Sequence, residues 1–385
     1  MRIGLLTKEW PPNIYGGAGV HALQLTEALR ESITVDVHCF GPERDGASGY
    51  PLPQQFESFN PAMQAFITDI EIAQSLSEVE LVHSHTWYAN MAGHLGSLLF
   101  GIPHVITAHS LEPDRPWKAE QLGGGYRLSS WAEKTAYEAA DAIIAVSNGM
   151  KIDIQKAYPS LDPTKIHTIL NGVDTDKYSP KADPELLARL GITGRYAIFV
   201  GRITRQKGLG HLLRAWENVD PGIGLVIAAG SPDEAAIGAE IAELIHGLQA
   251  DRTNIWWQEK MLPQPELNAL LSTADLFICP SIYEPLGIVN LEAMACQTAV
   301  LASRVGGIPE VVADFQTGEL VDYDGDGPAF EALLADRIQT LMSDPAKLVK
   351  YGVAGRQRAI NHFGWSAIAQ QTQALYQSVI DNHQK

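Results

Sequence analysis

Residues 281–295 read SIYEPLGIVNLEAMA, and this stretch decides the fold class. The run DLFICP at 275–280 precedes it, and a short, continuous apolar run ended by proline is typical of a buried parallel strand. Ile288, Leu291 and Met294 then recur at helical spacing. A strand followed directly by a helix is the building unit of an α/β fold, so the sequence predicts that class.

Residues at the start of this predicted helix indicate a site for a sugar nucleotide. The free amides around Leu286, Gly287 and Ile288 would lie at a helix N-terminus, where the macrodipole favours phosphate. Glu284 and Glu292 flank the turn among apolar neighbours, where a carboxylate favours binding of hydroxyl groups. We therefore predict that Glu284 faces a donor sugar and that Glu292 binds a ribose.

Composition restricts the class of protein and of partner. The 385 residues are 45% hydrophobic and 19% charged, enough for two soluble globular domains. Basic residues number 28 and acidic residues 45, and the net charge of −17 disfavours nucleic acid and an anionic membrane surface as partners. We expect neither a signal peptide nor a transmembrane span, because only four apolar residues in a row precede Thr7 and Lys8.

The cysteines indicate a reducing compartment. Cys39, Cys279 and Cys296 are odd in number and lack the spacing of metal ligands. We expect them to be reduced thiols in a cytoplasmic protein.

Two runs of alternating strands and helices follow one another along the chain. They begin with RIGLLT at 2–7 and YAIFVGRI at 196–203, and the polar, proline-bearing segment SPKADPE at 179–185 separates them. Each alternation predicts a doubly wound parallel sheet of the Rossmann type.

The predicted domains are an acceptor-side domain at 1–182, a donor-binding domain at 183–363 and a final helix at 364–385 that packs across their junction. Ligands of such sheets bind at the carboxyl ends of the strands. We therefore expect an interdomain cleft lined by both sheets.

A glycine cluster at 16–19 follows the first predicted strand. Ten residues separate Lys8 from Ala18, and no G-x-G-x-x-G appears, which disfavours a dinucleotide fingerprint. We interpret Gly16 and Gly17 instead as a loop through which the backbone reaches the donor.

Cationic and histidine side chains follow other predicted strands. Arg202 and Lys207 occupy a βα loop, where a guanidinium fork and an ammonium group suit a diphosphate. His109 ends the strand HVITAHS, and His83 and His85 end VELVHSH. With no cysteine or carboxylate nearby we predict neutral cleft residues rather than a metal site, with His109 against the donor sugar and His85 on the acceptor side.

The segment 110–131 combines cations, aromatic residues and three successive glycines. We assign Lys118, Tyr126 and Arg127 to an acceptor site for a phosphorylated sugar, because aromatic faces stack on sugar rings and glycine amides can turn toward an anion. A lid with no specific ligand is the alternative. Ser130 and Glu133 match a capping box, which predicts that the next helix begins there.

Several of these motifs together resemble retaining glycosyltransferases of the glycogen synthase group. The motifs are GGAG at 16–19, AHS at 108–110, GRITRQKG at 201–208 and EPLGIVNLE at 284–292. Two further blocks, HSHTWY at 83–88 and RPWKAEQLGGGY at 115–126, resemble the actinobacterial members that form α-maltose 1-phosphate.

The resemblance implies a GT-B fold and a metal-independent, cofactor-free transfer of glucose from ADP-glucose to glucose 1-phosphate. His109, Glu284, Arg202 and Lys207 would be the catalytic residues, and the anomeric configuration would be retained. One departure is the segment Asn13-Ile14-Tyr15 where starch and bacterial glycogen synthases carry Lys-x before the two glycines. Arg202 and Lys207 would then neutralise the leaving diphosphate without that lysine.

Other functions remain open at this level. A glycogen synthase that elongates an α-1,4-glucan from ADP-glucose or UDP-glucose would use the same donor residues, and the basic segment at 115–127 argues against it. A nucleotide-sugar epimerase would share the architecture. A dehydrogenase lacks its fingerprint here, and donor turnover would exclude a non-catalytic binder. The sequence does not determine the oligomeric state, and a homodimer is compatible with it.

Overall fold

The computed structural model describes residues 1–115 and 123–383. Its backbone contacts divide the chain into two units. Unit 1 is Met1–Gly172 together with the segment that starts at Trp365, and unit 2 is Val173–Gly364. Each unit contains one parallel sheet, so the predicted α/β class with two doubly wound sheets is confirmed.

Unit 1 contains a seven-stranded sheet of order β3-β2-β1-β4-β5-β6-β7. The strands are β1 Arg2–Thr7, β2 Thr34–Phe40, β3 Ser48–Tyr50, β4 Leu81–His85, β5 His104–Ala108, β6 Ala142–Ala145 and β7 Ile166–Thr168. The helices are α1 Gly17–Leu29, α2 Pro61–Gln74, α3 Thr86–Phe100, α4 Gly125–Ala139 and α5 Asn148–Ala157. Short 3₁₀ turns occur at Gln54–Phe56 and Pro163–Lys165.

Both faces of this sheet are covered, which explains its continuous apolar strands. In β1, Ile3 and Leu5 belong to one buried cluster, whereas Leu6 packs into another together with Val82 of β4. Strands buried on two faces require apolar residues at successive positions rather than at alternate ones.

Unit 2 contains a six-stranded sheet of order β10-β9-β8-β11-β12-β13. The strands are β8 Tyr196–Ile203, β9 Gly224–Pro232, β10 Ile255–Gln258, β11 Leu276–Cys279, β12 Ala299–Ser303 and β13 Gly318–Val321. A 3₁₀ turn at Arg205–Lys207 follows β8. The helices are α6 Pro184–Arg189, α7 Leu209–Trp216, α8 Ala235–Asp251, α9 Gln264–Thr273, α10 Ile288–Ala295, α11 Ile308–Val311, α12 Gly327–Met342 and α13 Pro345–His362.

The last helix, α14 at Trp365–His383, returns to unit 1. Its residues Trp365, Ile368 and Tyr376 join the buried cluster that contains Ile3 of β1. The Tyr376 hydroxyl and Nδ1 of the buried His83 form a hydrogen bond of 2.5 Å. The C-terminal helix is therefore part of the core of unit 1.

These divisions differ in detail from the predicted domains. Unit 1 ends at Gly172, ten residues before the predicted boundary after 182, and α14 belongs to unit 1 instead of standing as a separate segment. Packing of α14 across a domain junction stays a prediction. Among the described residues, no helix is both long enough and apolar enough to cross a lipid bilayer.

The capping box predicted at Ser130 and Glu133 is wrong. Helix α4 begins at Gly125, and the Ser130 hydroxyl donates to the carbonyl of Tyr126 within the helix. Glu133 is buried, where it accepts hydrogen bonds from the Glu112 amide and the Tyr158 hydroxyl. Tertiary packing decided the role of both residues, and a local sequence motif carries no information about such packing.

We expect Tyr376→Phe to lower the free energy of unfolding by about 1–3 kcal/mol, because it leaves a buried nitrogen of His83 without this partner. Urea unfolding followed by circular dichroism measures the change. Gln377→Ala, an exposed position on the same helix, is the control and should stay within about 0.5 kcal/mol of the parent. Equal stability of Tyr376→Phe and the parent would contradict a structural role for this bond.

Candidate functional site

Two loops of unit 2 meet at the carboxyl ends of β8 and β11. The Ile282 amide donates to the carbonyl of Gln206 over 2.9 Å. Gly208 has φ +66°, and a Cβ at this position would overlap the carbonyl oxygen of Pro280. Only glycine permits this approach, which brings the loop after β8 against the loop after β11.

A third loop, after β12, holds the backbone of Glu284. The Gly307 amide donates to the Glu284 carbonyl over 3.0 Å. Gly306 has φ +52°, and its Cβ position also overlaps that carbonyl oxygen. The backbone of Glu284 is thus held closely from the side of β12.

Lys207 and Glu284 form an ion pair where these loops meet. Lys207 Nζ lies 2.5 Å from Oε2 of Glu284, and their side chains are 18% and 9% exposed. The Ser281 hydroxyl donates to the same carboxylate oxygen over 3.3 Å. Burial is the largest single influence on the pKa of Lys207 and would lower it, but the charge of Glu284, the nearby Cys279 and the hydrogen bond to Glu284 together outweigh burial. The pKa is therefore raised, and the lysine remains an ammonium group.

Arg202, the second predicted cation, also binds a carboxylate. Its Nη1 lies 2.9 and 3.0 Å from the two carboxylate oxygens of Asp233, which follows β9. Arg202 is close enough to Lys207 that its charge opposes the rise in the pKa of Lys207. The sequence analysis missed Asp233, because the pairing joins residues 31 positions apart through the contact of neighbouring strands.

The predicted anion-binding turn starts α10. Gly287, the residue before the helix, has φ +92°, and a side chain there would meet the Asn290 amide. Leu286 is buried and Ile288 is half-buried. These residues can therefore offer a ligand their backbone amides, at the positive end of the helix dipole.

Glu292 lies on the buried side of α10, in contact with Tyr178. Burial raises the pKa of Glu292 to about 7, while the Tyr178 hydroxyl and the charge of Lys207 oppose this rise. Burial also raises the pKa of Tyr178, so its hydroxyl remains protonated and can donate to the carboxylate. The sequence analysis did not identify Tyr178, which lies 114 residues earlier in the chain.

The predicted histidine residues gather in unit 1. His85, at the end of β4, and His109, after β5, share a hydrogen bond of 2.9 Å between Nδ1 and Nε2. His21 of α1 joins them, with ring centroids 5.4 Å from His85 and 4.8 Å from His109. Burial and neighbouring histidines hold the pKa of His85 and of His109 well below the usual value, so these rings are neutral at pH 7.

The glycine loop of unit 1 encloses a carboxylate that the sequence analysis missed. Oε2 of the buried Glu9 accepts hydrogen bonds from the amides of Tyr15 and Gly16, each of 2.9 Å. Gly19 gives room for this carboxylate, because a Cβ there would approach it to 2.6 Å. The Gly16 amide thus binds Glu9, and donor contact by Gly16 and Gly17 stays a prediction.

The predicted acceptor residues start α4. The Tyr126 hydroxyl donates to the carbonyl of Glu112 over 2.7 Å, and Arg127 is exposed. Lys118 lies outside the described residues. Their assignment to an acceptor stays a prediction, as does the joint use of one site by residues of both units.

The chain matches two glycosyltransferase families. Residues 15–177 match Glycosyltransferase Family 4 and residues 186–358 match Glycosyl transferases group 1. It is 52% identical to the α-maltose-1-phosphate synthase of Mycolicibacterium smegmatis, over 98% of this chain and 100% of that protein. The α-maltose-1-phosphate synthase of Mycobacterium tuberculosis is 49% identical over the same shares of both chains.

A solved structure agrees with the fold. The sucrose-phosphate synthase of Thermosynechococcus elongatus superposes with a TM-score of 0.82 at 25% identity, over 99% of each chain.

The raised pKa of Glu292 predicts a pH-dependent stability. Its folded pKa of about 7 exceeds the ordinary 4.5, so the folded state binds the proton more tightly. Protonation of Glu292 therefore adds to the free energy of unfolding. This contribution is fully present below about pH 4.5 and is lost as the pH rises through 7. Between pH 4.5 and pH 8 we expect the free energy of unfolding of the parent to fall by about 3 kcal/mol relative to that of Glu292→Gln. Urea unfolding without ligand measures both values.

Glu243→Gln, on the exposed face of α8, is the matched control. It should differ from the parent by the same amount at both pH values. A pH-independent difference between Glu292→Gln and the parent would contradict the raised pKa.

Proposed function

The chain belongs to the glycosyltransferases of the Family 4 and group 1 type, and from this premise we propose that it transfers glucose from ADP-glucose to glucose 1-phosphate, forming α-maltose 1-phosphate. It is a glycosyltransferase of the GT-B fold. The proposed substrates are supported by two relatives named α-maltose-1-phosphate synthase, which align with almost the whole chain at 52% and 49% identity. The proposed product is an intermediate for α-glucan and glycogen synthesis.

The observation that carries the donor site is the pairing of two neighbouring cations with carboxylates beside the start of α10. Lys207 binds Glu284 and Arg202 binds Asp233, so both cations are held in place before any ligand arrives. A diphosphate would exchange with these carboxylates and also receive the amides around Gly287. We assign this anion site to the diphosphate of the donor, and the ribose to Glu292.

In the proposed reaction the bond between the anomeric carbon and the diphosphate oxygen breaks as the sugar develops positive charge. Lys207, Arg202 and the amides of α10 stabilise the negative charge on the departing ADP. His109 and Glu284 hold the hydroxyl groups of the donor sugar. The 4-hydroxyl oxygen of glucose 1-phosphate attacks the face that the diphosphate leaves, and its proton passes to the diphosphate, so the α configuration is retained.

Three cysteine residues support a cytoplasmic location for the proposed reaction. Cys39, Cys279 and Cys296 are buried free thiols. Such thiols suit a reducing compartment.

We expect Lys207→Ala to lower the single-turnover rate of glucose transfer by about 10²- to 10³-fold, because one electrostatic contact to the leaving group is removed. Rapid quench with ADP-glucose and excess acceptor measures the rate. Lys350→Ala, an exposed lysine of the same unit, is the control and should react like the parent. A Lys207→Ala rate within about two-fold of the parent would contradict the assignment.

The acceptor is tested by incubating the protein with ADP-glucose and either glucose 1-phosphate or glycogen. We expect ADP release to be fastest with glucose 1-phosphate and proton NMR of the initial product to show an α-linked disaccharide phosphate. Glucose without the phosphate is the matched control and should react at least about 10-fold more slowly, since a charged hydrogen-bond partner is lost. Preference for glycogen would establish the elongating glucan synthase instead, and a β-linked product would disprove retention.

A further inference from the structure

Three histidine side chains in unit 1 converge from three separate elements. His21 lies on α1, His85 ends β4, and His109 follows β5, the strand beside β4. One ligand nitrogen from each lies within 4.8 Å of those of the other two. Among the described residues, this is the one group of three or more side chains with the spacing of metal ligands.

The hydrogen bonds of this cluster are incomplete. Both ring nitrogens of His21 and Nε2 of His85 are buried and have no hydrogen-bond partner in the described part of the chain. The Asn171 amide is near enough to affect the titration of His21 but lacks the geometry of a hydrogen bond. Buried imidazole nitrogens without partners are unfavourable. A neutral ring has one lone pair, so a metal ion bound to His21 would satisfy one of its two unpartnered nitrogens.

The chemistry of the cluster suits a metal better than a proton. Burial lowers the pKa of His21 to about 4 and holds the pKa values of His85 and His109 well below 6.5. All three rings are therefore neutral at pH 7, and a cation that binds them displaces no proton from a charged imidazolium. A single proton is held by one or two nitrogens, whereas a metal ion gains three bonds at once.

We propose that His21, His85 and His109 form a binding site for a borderline transition-metal ion such as Zn²⁺ or Co²⁺. Three imidazole ligands with water in a fourth position are an established tetrahedral arrangement for such ions. Metal–nitrogen bonds of about 2.0–2.1 Å place tetrahedral ligand atoms about 3.3 Å apart, so the most distant pair must close by at most about 1.5 Å.

The existing contacts allow this rearrangement. Nδ1 of His85 and Nε2 of His109 already lie 2.9 Å apart across a hydrogen bond. A metal bound between them takes the place of the shared proton, which moves to the other nitrogen of the ring that donated it, so that both rings stay neutral. His109 is only partly buried, so an ion can enter from its side. The net charge of −17 attracts cations to the protein as a whole.

The test is a titration of tag-free, chelator-treated full-length protein with Co²⁺. We expect one Co²⁺ per chain, with the intense visible absorption of tetrahedral cobalt, and displacement by one equivalent of Zn²⁺. His21→Gln and His85→Gln should each weaken binding by at least the roughly 10- to 100-fold that substitutions near metal ligands cause. His246→Gln, an exposed histidine in unit 2, is the control and should bind like the parent.

Two results would overturn the proposal: a parent protein that develops no tetrahedral cobalt spectrum, or variants that bind as tightly as the parent. Circular dichroism of each variant shows whether it is folded. His109→Gln, at the partly exposed position, replaces any buried variant that does not fold. The spectrum does not depend on catalysis, so it decides this proposal whether or not the proposed function is correct.

A consequence for activity rests on the proposed function. Because His109 is assigned there to the donor sugar, bound Zn²⁺ should slow glucose transfer by the parent, and a chelator should restore the rate. His21→Gln should lose this inhibition. Metal binding without inhibition would leave the site established and would disprove only the assignment of His109 to the donor.

Discussion

The buried ion pair between Lys207 and Glu284 is the interaction on which the site in unit 2 depends. The two residues lie 77 positions apart, and 2.5 Å separates their charged atoms. Removing one partner of a buried pair leaves an uncompensated charge, which typically costs about 3–5 kcal/mol. The close backbone contacts at Gly208 and Gly306 are therefore a condition for the pair, because they bring the three loops near enough for it to form.

Under the proposed function, the same arrangement would allow a strongly acidic protein to bind a doubly charged anion. The overall field of a chain with net charge −17 repels a diphosphate, so binding requires a local cluster of cations and amides. In the proposal, Lys207 and Arg202 are those cations, and the structure shows each held by its own carboxylate partner. Side chains that are already ordered lose less entropy when a ligand arrives.

Sequence reasoning identified the elements and the cations but not the partners of those cations. Arg202 and Lys207 could be assigned to a βα loop because strand and helix periodicity are local properties. Asp233 and Tyr178 had no such signal, since their roles arise from contacts between distant segments. The capping box at Ser130 failed for the same reason, because burial of Glu133 took precedence over a local pattern.

The order of apolar and polar residues alone determined that this chain forms two parallel α/β sheets, and its motifs alone indicated a glycosyltransferase. Those properties depend on spacing along the chain, which the sequence contains completely. Only the tertiary structure decided that α14 completes the core of unit 1, that Glu9 binds the Gly16 amide and that His21 joins His85 and His109. These are contacts between residues far apart in sequence, and their free energy depends on burial and geometry that exist only after folding.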